Sequence, residues 1–248
     1  MNTCTLFSEE TRNPLPEEKR SPQDANAPMV SPAKDFVVEE FFARIGSQKF
    51  RTIVADPPWQ FQNKTGKIAP EHRRLNRYST MSLEQICSLP VAEVADEPAH
   101  LYLWVPNALL PDGLRVMAEW GFQYKSNIVW HKIRKDGGSD GRGVGFYFRN
   151  VTELILFGVR GKKARTLAPG RSQVNMIQTR KREHSRKPDE QYDLFESCSP
   201  GPYLELFSRG ARKGWKVWGN QADESYRPTW QTYKYNSSIR RDGIKLSA

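Results

Sequence analysis

Three cysteines, Cys4, Cys87 and Cys198, are scattered through 248 residues with no C-x-x-C spacing. That excludes a disulfide framework and a cysteine zinc site, and it suits a reducing compartment. No apolar h-region opens the sequence, and no apolar run approaches the roughly 20 residues needed to cross a bilayer. A soluble, cytoplasmic protein is expected. Hydrophobic residues make up 38% of the chain, too few for a core running its full length. There are no internal repeats. Glycines 141, 143 and 145 form a G-x-G-x-G, but no helix pattern opens there and no G-K-[ST] follows, so a phosphate cradle is rejected.

What is abundant is positive charge. Thirty-eight Lys and Arg stand against 28 Asp and Glu, a formal net charge of +10. Such an excess points to a polyanionic partner, nucleic acid first. Residues 1–33 are polar and proline-rich and read as a disordered tail. Residues 34–222 read as one domain. Residues 223–248 mix Tyr and Trp with Arg and Lys and form a second tail, either touching nucleic acid or merely trailing.

Strand and helix patterns alternate within the domain. Strands are expected at residues 51–55, 99–105, 126–132, 151–159, 174–178, 203–207 and 215–218. Helices are expected at 82–90, where Ser82 and Gln85 form a capping box and Pro90 stops the run, at 109–120 before Gly121, and at 188–197. This order predicts an α/β fold: a mostly parallel twisted sheet flanked by helices. Ligands in such folds sit beyond the carboxyl ends of strands.

"DPPW", Asp56-Pro57-Pro58-Trp59, falls at one such end. Each proline fixes its own φ and biases the preceding residue to extended geometry, so the corner is stiff before a ligand arrives. It presents carbonyls and a carboxylate as acceptors, beside a flat aromatic face; the alternative is a rigid surface turn with Trp59 packed on the core. Two acceptors next to an aromatic plate suit an amino group on a flat ring, such as adenine N6. Hydrogen bonds from N6 to Asp56 and the Pro57 carbonyl would localise its lone pair for attack on a methyl sulfonium. Around the glycine-rich stretch, Lys132, Arg134, Lys135, Arg142 and Arg149 could hold backbone phosphates, and Phe146, Tyr147 and Phe148 could stack bases. A second basic stretch between 161 and 186 is either another phosphate strip or a solvated loop.

"ADPPW" at 55–59 resembles the signature of the MT-A70 family of S-adenosylmethionine-dependent adenine-N6 methyltransferases. "RYSTMS", "LYLWV", "WGFQYKSNIVWHK", "VTELILFGVRG" and residues 184–221 extend the resemblance over about residues 49–221. It implies a Rossmann-like class I methyltransferase fold in permuted order, the catalytic motif preceding the cofactor motif. It further implies that Asp56 and Pro57 hold the target amine within the Asp56–Pro58 corner, that Trp59 flanks the base and that Tyr78 lines its pocket. Glu153 would be an acid near the substrate, and Ser185 and Lys187 would lie beside target and cofactor. Asp56, Glu205, Arg209, Asn220 and Gln221 would surround S-adenosylmethionine. One departure is the short span from Gly210 to Trp215, where the family often carries a longer segment with a His.

The compact chain is more similar to the prokaryotic or phage-borne branch, which makes DNA the first expected substrate and RNA the alternative. A catalytically inactive nucleic-acid-binding subunit and a small-molecule methyltransferase are the rivals. The first is disfavoured by the presence of Asp56, Lys187 and Asn220, the second by the net charge. Pairing with another subunit or a second copy is compatible with the resemblance.

Overall fold

The computed structural model describes residues 32–61, 80–141, 147–180 and 186–219. Seven strands form one sheet in the order β5-β3-β4-β2-β1-β6-β7. In chain order they are β1 (Phe50–Ala55), β2 (Ala95–Val105), β3 (Gln123–Ile133), β4 (Thr152–Arg160), β5 (Met176–Arg180), β6 (Tyr203–Leu206) and β7 (Trp215–Trp218). β1 pairs in parallel with β2 and β6, β6 with β7, and β3 with β5. β4 runs antiparallel to both neighbours, β2 and β3. The carboxyl ends of the six co-directional strands and the amino end of β4 therefore share one edge.

β1 shows why it sits centrally. Thr52, Ile53, Val54 and Ala55 are buried on both faces, as a parallel strand covered by helices on each side must be. Side chains of β2 alternate: Leu101, Leu103 and Val105 enter one core and Tyr102 and Trp104 the other. The first core also takes Phe41, Trp59, Trp120 and Trp218, and the second takes Trp130, Ile155, Phe195 and Trp215.

The helices are α1 (Pro32–Ile45), α2 (Leu83–Cys87), α3 (Val91–Val94), α4 (Leu110–Glu119) and α5 (Glu190–Cys198). α2 starts with the expected capping box: the Gln85 N–H donates to Ser82 Oγ at 3.2 Å, and the Ser82 N–H donates to Gln85 Oε1 at 2.8 Å. α4 presses so closely on β2 that a Cβ on Gly113 would lie 2.5 Å from a Val105 methyl. It ends at Gly121, whose φ of +78° reverses the chain into β3. Among the described residues no helix is long and apolar enough to cross a membrane.

Several features differ from the sequence reading. β3 begins at Gln123, three residues early, and α3, after the expected stop at Pro90, had no counterpart. α1 had none either. It holds its place through tertiary contact, with Phe41 fully buried and edge-on to Trp218 at 5.3 Å. β2 begins at Ala95, four residues early. β5 lies at Met176–Arg180, two residues on from expectation, because Val174 is 67% exposed and has no sheet partner to bury it.

Candidate active site

Asp56 is the first residue beyond β1, at the shared edge. Its backbone N–H donates to the Leu206 carbonyl at 3.4 Å, tying the corner to the end of β6. The two prolines then turn the chain. The Trp59 N–H closes on the Pro57 carbonyl at 2.8 Å, and the Met81 N–H reaches the Pro58 carbonyl at 3.0 Å. Each carbonyl keeps a second lone pair.

The expectation for Trp59 is corrected. It is 6% exposed, belongs to the core that also holds Leu103 and Trp120, and donates its indole N–H to the Trp104 carbonyl at 2.9 Å. Burying so large a ring with its N–H satisfied is worth more than leaving it in solvent. Trp59 pins the corner to the end of β2 and offers no free face to a base.

The antiparallel β4 brings in an acid that the parallel strands could not supply. Glu153 sits at its amino end, opposite Trp130 of β3. Lys187, in the segment before α5, places its Nζ 2.8 and 2.9 Å from the two Asp56 oxygens and 3.4 Å from Glu153 Oε2. Lys132, near the end of β3, pairs with Glu153 Oε1. The four charges alternate in sign: Asp56, Lys187, Glu153, Lys132. Beneath them lie two indoles. Lys187 Nζ is 5.0 Å from the Trp104 ring and Lys132 Nζ 4.9 Å from the Trp130 ring. The rings meet edge to face at 5.9 Å, and their N–H groups are spent on Gln191 Oε1 at 2.7 Å and Thr179 Oγ1 at 2.9 Å.

Burial acts on both central charges and neighbours overcome it. Desolvation pushes the Glu153 carboxyl up, but Lys187 and Lys132 together hold it below its ordinary range. Desolvation likewise pulls the Lys187 ammonium down, but Asp56 and Glu153 raise it above the usual lysine value. Both stay charged at neutral pH.

Lys132 was expected to meet substrate phosphates. Instead it is 8% exposed and joined to Glu153, because the β3–β4 register brings the acid alongside. Arg134 is paired with Asp136 at 2.9 Å. Lys135 and Arg149 stay exposed at this edge, with Tyr147 at 94% and Phe148 at 84%. The second basic stretch is divided: its end, with Arg180 closing β5 and Arg186 next to Lys187, returns to this edge, residues 181–185 lie outside the described residues, and its beginning lies elsewhere. Residues 162–171 follow the far end of β4, seven residues and roughly 20 Å along the strand from Glu153.

Glu205, in β6 beside Val54, accepts from the Tyr192 hydroxyl at 2.9 Å. Burial drives its carboxyl up to about 7; Asp56 adds to the rise, while the Tyr192 and Ser208 hydrogen bonds and Arg212 moderate it. Arg209 is half-buried in the turn that follows. That turn packs backbone to backbone against the end of β7: the Ser208 N–H donates to the Trp218 carbonyl at 3.0 Å, and a Cβ on Gly219 would fall 2.8 Å from Ser208 backbone atoms. Asp56, Glu205 and Arg209 at this rim offer acidic acceptors and a cationic donor, which fits S-adenosylmethionine, a ligand with a sulfonium, an ammonium and a carboxylate. Tyr78, Arg142, Ser185, Asn220 and Gln221 lie outside the described residues.

Sequence reasoning missed Trp104, Trp130 and Gln191. Their one signal was a tryptophan in each of two buried strands, whose N–H requires a partner.

The MT-A70 family profile matches residues 50–221. The chain belongs to the MT-A70 family. The match runs through β1, the acidic corner, the β4 acid, Lys187 and the β6–β7 turn, so it covers the whole edge described above. MT-A70 methyltransferases depend on S-adenosylmethionine and act at N6 of adenosine. Among relatives, the type II methyltransferase M.MunI of Mycoplasma is 26% identical over 198 residues, 73% of this chain and 82% of M.MunI. The human N(6)-adenosine-methyltransferase catalytic subunit METTL3 is 29% identical over 182 residues, 71% of this chain. A putative N(6)-adenosine-methyltransferase of Medicago truncatula is 30% identical over 177 residues, 70% of this chain. The chain spans only 28% and 26% of these last two.

Proposed function

We propose that this chain transfers a methyl group from S-adenosylmethionine to N6 of adenine in DNA. The observation that carries the reading is the Asp56 carboxylate, held at the carboxyl edge of the sheet by both of its oxygens on Lys187 Nζ.

A carboxylate has about four lone-pair positions, so two remain for an incoming amine. Lys187 restrains Asp56 to one orientation, and the prolines restrain the backbone that carries it. Asp56 and the Pro57 carbonyl then accept the two N6 hydrogens, which draws the nitrogen lone pair out of conjugation with the ring and frees it for attack. S-adenosylmethionine, when bound, would supply an electrophilic methyl carbon, its C–S bond breaking as the N6–C bond forms so that the sulfur leaves as a neutral thioether. Once the new N–C bond has formed, the methylated nitrogen is a strong acid, and Asp56 Oδ accepts its proton or passes it to water. Orientation and electrostatics carry the rate; no covalent intermediate with the chain is needed. Glu205 and Arg209 are the described residues that would hold the cofactor's cationic and anionic ends.

An adenine within a duplex must first leave the stack, at a cost of a few kcal/mol. The exposed Tyr147, Phe148, Lys135 and Arg149 beside the site support a polynucleotide substrate, since aromatic and cationic groups together hold single-stranded bases and phosphates. Alignment along 82% of the type II methyltransferase favours DNA. RNA is the second reading, favoured by 29% and 30% identity to N(6)-adenosine-methyltransferases. The engaged Asp56–Lys187 pair argues against an inactive subunit.

The deciding experiment offers labelled S-adenosylmethionine with single-stranded DNA, duplex DNA and RNA in parallel, and maps the product base. N6-methyladenine in DNA, with affinity falling steeply as salt rises, is the expected result. Methylation confined to RNA overturns the DNA assignment. Salt-insensitive turnover of free adenosine overturns the polynucleotide.

A further inference from the structure

Lys132 is a buried cation that methyl transfer does not touch. Its Nζ lies on the Trp130 ring and joins Glu153, not solvent. Its partner, at 27% side-chain exposure, then meets Lys187, which meets Asp56. The chain of contacts crosses four segments distant in sequence: the end of β3, the start of β4, the approach to α5 and the end of β1.

Each link depends on the one behind it. Glu153 has two oxygens, and the structure gives one to each lysine: Oε1 to Lys132 and Oε2 to Lys187. That division aims the carboxylate. Lys187 in turn has its ammonium fixed from three sides, by Asp56, by Glu153 and by the Trp104 ring beneath. Removing Lys132 frees Glu153 to rotate or to take up a proton, and Lys187 then loses the contact that sets its position relative to Asp56.

We propose that Lys132 is a positioning residue, which through Glu153 fixes Lys187 and through Lys187 sets the Asp56 carboxylate in the geometry that methyl transfer requires. The inference rests on the assignment of Asp56 to the target amine, but its first test does not.

Among the described residues, the charged groups facing Glu153 are Lys132 from β3 and Lys187 from the approach to α5, with Asp56 beyond Lys187. His131, next along β3, is turned to Gln178 and Ser139 at 3.0 and 2.9 Å, away from this cluster. Asp140 is fully buried near the Lys132 backbone, its N–H on the Lys132 carbonyl at 2.8 Å. With two lysines, burial loses to attraction and Glu153 stays ionised. With one, the largest single influence on this carboxyl is the burial that favours its neutral form.

The test follows carboxyl ionisation directly, by 13C NMR of side-chain-labelled glutamate in the ligand-free protein, with Glu153→Gln identifying the resonance. In the parent, Glu153 titrates below the ordinary value of about 4.3. Lys132→Met and Lys132→Gln are expected to raise the midpoint by more than one pH unit, and Lys132→Arg to keep it low. Should Lys132→Met not fold, Lys132→Gln retains a polar side chain of similar reach without the charge. An unmoved midpoint in a folded charge-free variant overturns the proposal, as does an ordinary midpoint in the parent.

Kinetics supply the second readout. Lys132→Met is expected to lower kcat roughly 10- to 100-fold with little change in KM, the mark of lost orientation. It should also shift the acidic limb of the pH–rate profile upward. A rise in KM alone, with kcat and the limb unchanged, would make Lys132 a substrate contact and overturn the proposal. Inactivity of the parent on every nucleic acid would count against the proposed function and leave the NMR result to stand for or against Lys132.

Discussion

Lys187 and Asp56, separated by 131 residues in sequence, meet with the ammonium 2.8 and 2.9 Å from the two carboxylate oxygens. The sheet order makes this possible. β1 lies beside β6, and α5 precedes β6 in the chain, so the segment entering α5 passes over the end of β1. The pair joins the first half of the domain to the second at the point where chemistry is proposed.

Asp56→Asn tests that pair. The amide keeps an acceptor but loses its charge and half of its bonding to Lys187. Methylation is expected to fall by at least about 100-fold in kcat, the scale for losing one aligned electrostatic group. Stability is expected to fall by about 1–3 kcal/mol, because Lys187 remains half-buried beside Glu153 alone. Urea denaturation and single-turnover methylation measure the two effects separately.

Stability should depend on pH in three windows. Glu153 is held low, so its contribution is full above its unfolded value of about 4.3 and disappears as pH falls through its folded value. Lys187 is held high, so its contribution is full below its unfolded value of about 10.4 and disappears as pH rises through its folded value. Glu205 behaves differently: raised to about 7, it binds a proton in the folded state between about 4.3 and that value. Stability therefore declines as pH rises through this window. Glu205→Gln is expected to flatten that decline relative to the parent in denaturation curves at pH 4.5, 6 and 8. An identical slope in both proteins would contradict the assignment.

Trp59→Phe separates an anchoring ring from a stacking plate. The phenyl ring keeps most of the apolar burial but loses the N–H on the Trp104 carbonyl. A loss of about 1–3 kcal/mol in stability is expected, with nucleic-acid affinity little changed. A stacking role reverses the pattern, leaving stability intact and weakening the complex.

The central strands were legible because burial on both faces writes itself as a continuous apolar run. The capping box at Ser82 and Gln85 was legible because its partners are three residues apart. α1 was not, because PAKDFVVEEFFARI mixes acids and aromatics without a clear stripe, and its hold on the domain comes from Phe41 meeting Trp218 far along the chain. At the site, the acid and prolines could be read from chemistry alone. The orientation of Trp59 could not, since strand alternation ends at the prolines. Nor could the burial of Lys132: beside a glycine-rich, cationic stretch a lysine reads as solvated, and only the pairing of Trp130 with Glu153 shows otherwise.

Tyr147 and Phe148 provide the last test. Their rings are 94% and 84% exposed, next to Arg149, whose guanidinium is tethered to the Gly141 carbonyl at 3.1 Å. Two bare aromatics gain nothing from folding, so replacing both with alanine should leave stability within about 0.5 kcal/mol. If they stack on bases flanking the target, each lost contact costs about 1–3 kcal/mol of binding, on the order of a 10- to 100-fold rise in Kd for single-stranded DNA. The salt dependence should stay the same, because no phosphate contact is removed. Fluorescence anisotropy across a salt series reads affinity and slope together. Unchanged affinity would mean that the bases lie elsewhere on the edge, while a reduced slope would mean that the substitution had disturbed the neighbouring cations.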